Sequence, residues 1–193
     1  QGVNWDPTHP FFILQVVPGK VYRDHERPDM INYHAATAQA GDIFAVDPYP
    51  IGKLPLRHVF DGVETAVKSV FGRKPVWATL QAYTFRYKKD GKFDPPLPTS
   101  AELRCMSYLA LAAGARGLMY YAYDDSYYVD DNFNGLNLQK DCPDFWKNIF
   151  VPCISEVRAN SKIWTAHYAT GSPVNANTTV AVQKRPYVLN NKV

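Results

Sequence analysis

Gly41-Asp42-Ile43-Phe44-Ala45-Val46-Asp47-Pro48-Tyr49-Pro50 decides how the rest of the chain is read. Ile43 to Val46 is an apolar run of the length expected for a strand buried on both faces, the kind found in parallel sheets. Pro48 and Pro50 cannot extend a central strand, so the strand stops at Asp47. A carboxylate, Asp47, and a phenol, Tyr49, are thereby left at a strand's C-terminal end, where βα proteins place their sites. Asp47 is read either as a cap on the following turn or as a binding or catalytic group.

The same pattern recurs on either side. Phe11 to Val17 is a continuous apolar run ending at Pro18-Gly19 and predicts a buried strand with Gln15 as its one amide. Residues 20–28 are charged and read as a loop, and Asp29 to Ala40 as a helix with Gly41 at its C′ position. Asp61-Gly62-Val63-Glu64 predicts a capping-box start for a helix carrying Val63, Ala66, Val67 and Val70 on one face, with Gly72 ending it. Val76 to Tyr83 is the third strand candidate, which puts Gln81 and Tyr83 near its end. A long loop over residues 84–98 follows, of a length usually kept for function or mobility. Thr99-Ser100-Ala101-Glu102 is a second capping box, opening a helix that buries Leu103, Met106, Ala110 and Ala113 and ends at Gly114. Arg116 to Tyr123 is the fourth strand candidate, ending in Asp124-Asp125. After a loop over 126–140, Asp141 to Asn160 reads as a helix in which Pro143 suits the first turn and Pro152 splits or kinks the rest.

The order is β-α-β-α-β-α-β-α, with strands beginning near residues 11, 42, 75 and 116, and this spacing fits βαβ units. No Gly-rich phosphate loop follows any strand, which argues against a dinucleotide fold. The fold class is therefore α/β, built of parallel βα repeats, as half or part of a (βα)8 barrel. Residues 1–160 form this unit, and 161–193 read as a C-terminal extension with short strands or an extended arm. Half a barrel has two open sheet edges. They are closed by a further segment, by a second copy of the chain, or not at all, in an open four- or five-stranded sheet.

Composition narrows the function. Of 193 residues, 46% are hydrophobic and 14% aromatic, which excludes a disordered chain. A net charge of +3 from scattered basic residues gives no nucleic-acid surface, and no apolar run reaches the length of a membrane span. The sequence opens on Gln1, which reads as a processed chain or a piece of a longer one. Asn177-Thr178-Thr179 is an N-glycosylation sequon, in keeping with a secreted protein. Of three cysteines, Cys142 and Cys153 flank one helical segment and are the candidate disulfide, while Cys105 is expected to be buried. The five histidines and the cysteines match no metal-site spacing, no cofactor motif is present, and each histidine is read as a surface or capping residue. Trp77 and Tyr120 are assigned to the core. Tyr49, Tyr83 and Tyr123, at strand ends, are assigned to a site in which aromatic rings face sugar rings and Asp47, Gln81 and Asp125 bind hydroxyls. Asp124 and Asp125 are either solvated loop acids or partners of Asp47 in acid–base chemistry, with Asp47 and Asp124 the catalytic candidates.

Four segments, Asp6 to Pro10, Asp42 to Pro50, Pro75 to Ala82 and Glu102 to Tyr121, together resemble the C-terminal half, strands five to eight, of a glycoside-hydrolase-like (βα)8 barrel. The family is the broad clan of retaining β-galactosidases and cellulases. The resemblance implies a carbohydrate partner, a general acid on a strand preceding Gln1, and a nucleophilic Glu at or beside the position of Gln81. A neutral amide cannot form a glycosyl ester, and retaining hydrolysis needs two carboxyl groups about 5 Å apart. Two functions follow. One is a carbohydrate-active barrel segment that binds a glycan at its strand ends and is completed by an N-terminal half. The other is a non-catalytic extracellular structural or assembly subunit, a homo-oligomer through its open edges, that reuses the scaffold.

Overall fold

The computed structural model describes residues 8–17, 30–164, 167–168 and 187–188. The first units are β1 (Phe12–Gln15), α1 (Met30–Ala38), β2 (Ile43–Val46), α2 (Arg57–Ser69) and β3 (Val76–Gln81). Two short strands, β4 (Phe85–Tyr87) and β5 (Phe93–Asp94), precede α3 (Ser100–Ala113), β6 (Gly117–Tyr121) and β7 (Phe133–Gly135). β1, β2, β3 and β6 form one parallel sheet in that order, an arrangement compatible with part of a βα barrel; the described residues do not close a barrel. All four strands coincide with the apolar runs of the sequence.

Alternation along the strands separates two faces. Phe44, Val46, Val76, Ala78 and Leu80 point to the helices and are buried with Val59, Val63 and Ala66 of α2 and Leu103, Met106 and Ala110 of α3. Each of the larger side chains contributes about 2 kcal/mol by leaving water and each alanine methyl less than half of that, so this layer fixes the register. Gln15 lies on the same side and accepts a hydrogen bond from the Tyr33 hydroxyl of α1 at 3.0 Å. Phe12, Leu14, Trp77, Met119 and Tyr121 lie on the opposite face, where Leu14 and Met119 are exposed.

Helix ends explain one success and one correction. Thr99 caps α3 as expected: its hydroxyl accepts from the Glu102 N–H, and Glu102 accepts from the Thr99 N–H at 2.8 Å. Gly114 ends this helix at φ 114°, a left-handed conformation that favours glycine. Asp61, by contrast, is no N-cap. α2 starts one turn earlier, because Val59 and Phe60 belong to its buried stripe, and Asp61 instead pairs with Arg57 four residues back. α1 is held from outside, since the Lys74 ammonium donates to the carbonyls of Ala38 and Gly41 at its C-terminal end.

The segment after β7 is a broken helix: α4 (Leu138–Asp141), α5 (Pro143–Phe145), a five-residue π turn (Trp146–Phe150), α6 (Val151–Ala159) and α7 (Ser161–Trp164). The π turn stands directly before α6, whose first turn holds Pro152, so the missing proline N–H falls where no intrahelical partner is needed. The expected Cys142–Cys153 disulfide is not formed: both are buried free thiols. Ten residues of nearly continuous helix between them span on the order of 15 Å, whereas a disulfide joins Cα atoms about 6 Å apart. Cys153 faces the Ser107 hydroxyl instead, and Cys105 is exposed on α3 rather than buried. β8 (His167–Tyr168) and β9 (Tyr187–Val188) pair antiparallel, while Asn177 and most of the expected 161–193 extension lie outside the described residues.

His34 also departs from its expected surface role. It is buried on α1 with its ring edge against Phe44, and among the described residues neither ring nitrogen has a hydrogen-bond partner. Burial pushes its pKa below the usual value of 6.5. The unfolded chain therefore takes up a proton near pH 6.5 that the folded chain refuses. Stability from this site is full above that pH and is lost as pH falls through it. A His34→Leu variant is expected to flatten the acid side of the melting-temperature profile below pH 6.5; identical profiles would refute the assignment.

Candidate functional site

An open cavity of ≈ 270 Å³ lies beyond the C-terminal ends of β1, β2 and β3. Its polar lining is Asp47, Tyr49, Lys53, His58, Gln81 and Tyr83. The local sequence explains the placement. Pro48 and Pro50 end β2 and turn the chain across the end of β3, where the buried Gln81 amide oxygen accepts the Ile51 N–H at 2.9 Å. Gln81 thus ties the Asp47–Ile51 turn to the sheet while lining the cavity. It neither ionises nor points a free oxygen at a ligand.

Asp47 is the carboxylate among the lining residues. Its Oδ1 atom is buried and meets no hydrogen-bond donor among the described residues. Burial pushes its pKa up to about 6, against the backbone N–H groups of Asp47 itself and Val17, which favour the charged form. Around it stand three tyrosine rings in mutual contact. Tyr49 and Tyr83 meet edge to face at 5.3 Å, Tyr83 and Tyr121 likewise at 5.6 Å, and Tyr49 and Tyr121 stack at 6.1 Å. The Tyr49 phenol is held neutral first by burial and then by the neighbouring Asp47, Tyr83, Tyr121 and Asp125. His58, in the first turn of α2, has its pKa pushed down by burial, with Asp61 opposing. The cavity therefore offers one desolvated acceptor, the phenols of Tyr49 and Tyr83 and an imidazole biased towards its neutral form, with Lys53 beside them.

The other expected site residues stand elsewhere. Tyr121 pairs with Gln81 in the β3–β6 register, and its hydroxyl donates to Asp125 Oδ1 at 2.8 Å. Asp125 is buried behind the tyrosines, its second oxygen without a partner, and does not line the cavity. Asp124 is not brought to Asp47. It is exposed, with Oδ1 accepting from the Ser126 N–H and hydroxyl and Oδ2 from the Asn137 amide, which hold its pKa below the usual carboxylate range. Tyr123 is exposed too, edge-on to Trp146 and bonded to Gln139. Tyr120 packs against the core as expected, on Ser107 and Phe150, whereas Trp77 is half-buried on the sheet face away from the helices, over Gly117 and against Phe12. Sequence reading missed Lys53, His58 and Tyr121. The first two follow a turn rather than a strand, and Tyr121 gave no signal apart from its neighbours.

Among the described residues no three His, Cys, Asp or Glu side chains gather as a metal site, and no helix is long and apolar enough to cross a membrane. No protein-family model matches the chain, and no curated protein matches it. Among solved structures, bee venom hyaluronidase is similar over 66% of this chain and 40% of its own, with TM-score 0.47 and 13% sequence identity. The chain thus spans less than half the length of that hyaluronidase.

Proposed function

We propose that the cavity at the strand ends binds a carbohydrate, and that binding rather than hydrolysis is the function of these residues. The observation that carries the reading is Asp47 Oδ1, a buried acceptor without a donor among the described residues, lining one cavity with Tyr49 and Tyr83. An orphaned buried acceptor is costly unless something outside the chain supplies a donor. A sugar hydroxyl does so while the pyranose ring covers an aromatic face. Hydrolysis with retention needs a second carboxyl group close by. Gln81 cannot serve, and Asp124 is engaged in its own turn. Titration calorimetry with neutral mono- and oligosaccharides tests the proposal. Binding is expected, with Tyr83→Ala weakening it about tenfold or more, and no reducing ends are expected to be released. Absence of binding at millimolar sugar overturns it.

A second reading, an assembly subunit, is favoured by a different observation. The outer strands β1 and β6 have no further strand beside them among the described residues, and Phe11, Leu14, Val16 and Met119 are exposed there. Strands from another segment or another copy would cover these edges as in a (βα)8 barrel. Light scattering decides between a monomer and an assembly. An extracellular setting belongs to both readings, and mass spectrometry at Asn177 tests it.

A further inference from the structure

The second sheet, in the order β5-β4-β7, stands over the ends of β3 and β6 and is antiparallel. Its rings continue the tyrosine cluster of the cavity without a break. Tyr83 contacts Phe85 at 5.3 Å, and Phe85 contacts Tyr128 at 5.2 Å and Phe133 at 5.0 Å. At the outer end two large aromatic residues are left in water, Tyr127 at 76% and Tyr128 at 41% exposure.

These two residues are held in place. Asp125 N–H donates to Leu136 O at 3.0 Å, Tyr128 N–H to Asp125 O at 2.8 Å, and Gly135 N–H to Tyr128 O at 2.7 Å. The Tyr128 ring is backed by Phe133, stacked at 6.0 Å. Asp125, whose carbonyl anchors Tyr128, also accepts from the hydroxyl of Tyr121, the residue stacked on Tyr49. A loop so restrained presents its rings at little entropic cost to a ligand. Neighbouring rings touch at 5.2–5.3 Å, each tilted against the last, so that aromatic surface runs from the cavity outward to Tyr128.

We infer that Tyr127 and Tyr128 form an outer subsite, so that the ligand is a linear oligosaccharide of three or more units with one end in the cavity. This rests on the reading of the cavity as a sugar site. Neutral chains fit best, because Lys88, Lys89 and Lys92 alternate with Asp90, Asp94, Asp130 and Asp131 around this sheet and give it no single sign of charge.

The test uses the full chain and two ligand series, glucose to cellotetraose and N-acetylglucosamine to its tetramer, followed by calorimetry. Affinity is expected to rise about tenfold from the monomer to the trimer of the series that binds. A Tyr127→Ala/Tyr128→Ala double variant is expected to lose that rise while keeping monomer affinity within about twofold. A Tyr127→Phe/Tyr128→Phe variant, which keeps the rings and has the same sheet to fold, is expected to retain it. Equal affinity for monomer and trimer, or a double alanine variant that keeps the gain, overturns the outer subsite and leaves the cavity reading intact. If no member of either series binds, both fall.

Discussion

Asp47→Asn is expected to make the protein more stable above pH 6 and to leave it unchanged at pH 4. The folded-state pKa of Asp47 is pushed up to about 6 from an ordinary value of 3.8. Between those values the folded chain holds a proton that the unfolded chain has released. Stability is therefore lost as pH rises from 3.8 through 6, and the deficit persists above. Asparagine keeps the shape of the neutral acid and does not titrate, so the deficit disappears. After discounting for the partial exposure of the group, the gain is about 1–2 kcal/mol, or roughly 3–6 °C in melting temperature for a domain of this size. The His34 effect has the opposite slope and acts below pH 6.5, so it is common to both proteins and cancels in the comparison. Ligand binding is expected to move the other way. The ionised carboxylate is the stronger acceptor, so sugar affinity rises through pH 6 in the native chain and stays flat in Asp47→Asn. Parallel melting profiles from pH 4 to 8 would sink the assignment.

Gly135→Ala is expected to cost about 2–4 kcal/mol, roughly 5–15 °C. A β-carbon at Gly135 would stand 1.8 Å from the carbonyl oxygen of Asp125 and 2.7 Å from its carbonyl carbon. Those are backbone atoms, pinned on one side by the Asp125–Leu136 hydrogen bond and on the other by Tyr128, so no side-chain rotation relieves the overlap. The strain must open the β4–β7 pairing, in which Gly135 stands opposite Phe85. Hydrogen exchange should show lost protection at Asp125, Tyr128 and Gly135, with the parallel sheet still protected. A variant with native stability and native exchange would mean that the loop is not packed as described.

Sequence alone located the four parallel strands because each is an apolar run bounded by proline, glycine or a charged turn. Residues 43–46 and 76–81 are buried on both faces, so burial wrote itself into composition. Thr99 was legible because a capping box is a local pattern satisfied by local atoms. Asp61 carried the same pattern and was misread, since its acid three residues on is equally at home inside a helix. What separated the two was the buried Val59–Phe60 pair upstream. β4, β5 and β7 were hidden in two stretches rich in charge and turn residues, because strands of two or three residues leave no periodicity to count. At the site, Asp47, Tyr49, Gln81 and Tyr83 were visible from their strand ends. Asp124 and Tyr123 were drawn in by the same rule and are turned away by hydrogen bonds to Ser126, Asn137 and Gln139, which no strand-end rule anticipates.

The small antiparallel sheet is woven from two connections, β4 and β5 from the one after β3 and β7 from the one after β6, laced by only a few ladder pairs. β7 has no partner within its own connection, whereas β4 pairs both with β5 beside it and with β7 from the other connection. Transplanting one connection alone onto a related scaffold would strand it, whereas moving residues 84–98 together with 124–137 carries a self-sufficient cassette. Inheritance faces the same constraint. Changes in one connection are filtered by the other, so the two stretches must drift in concert, together with Tyr83 and Tyr121 at the strand ends that they touch.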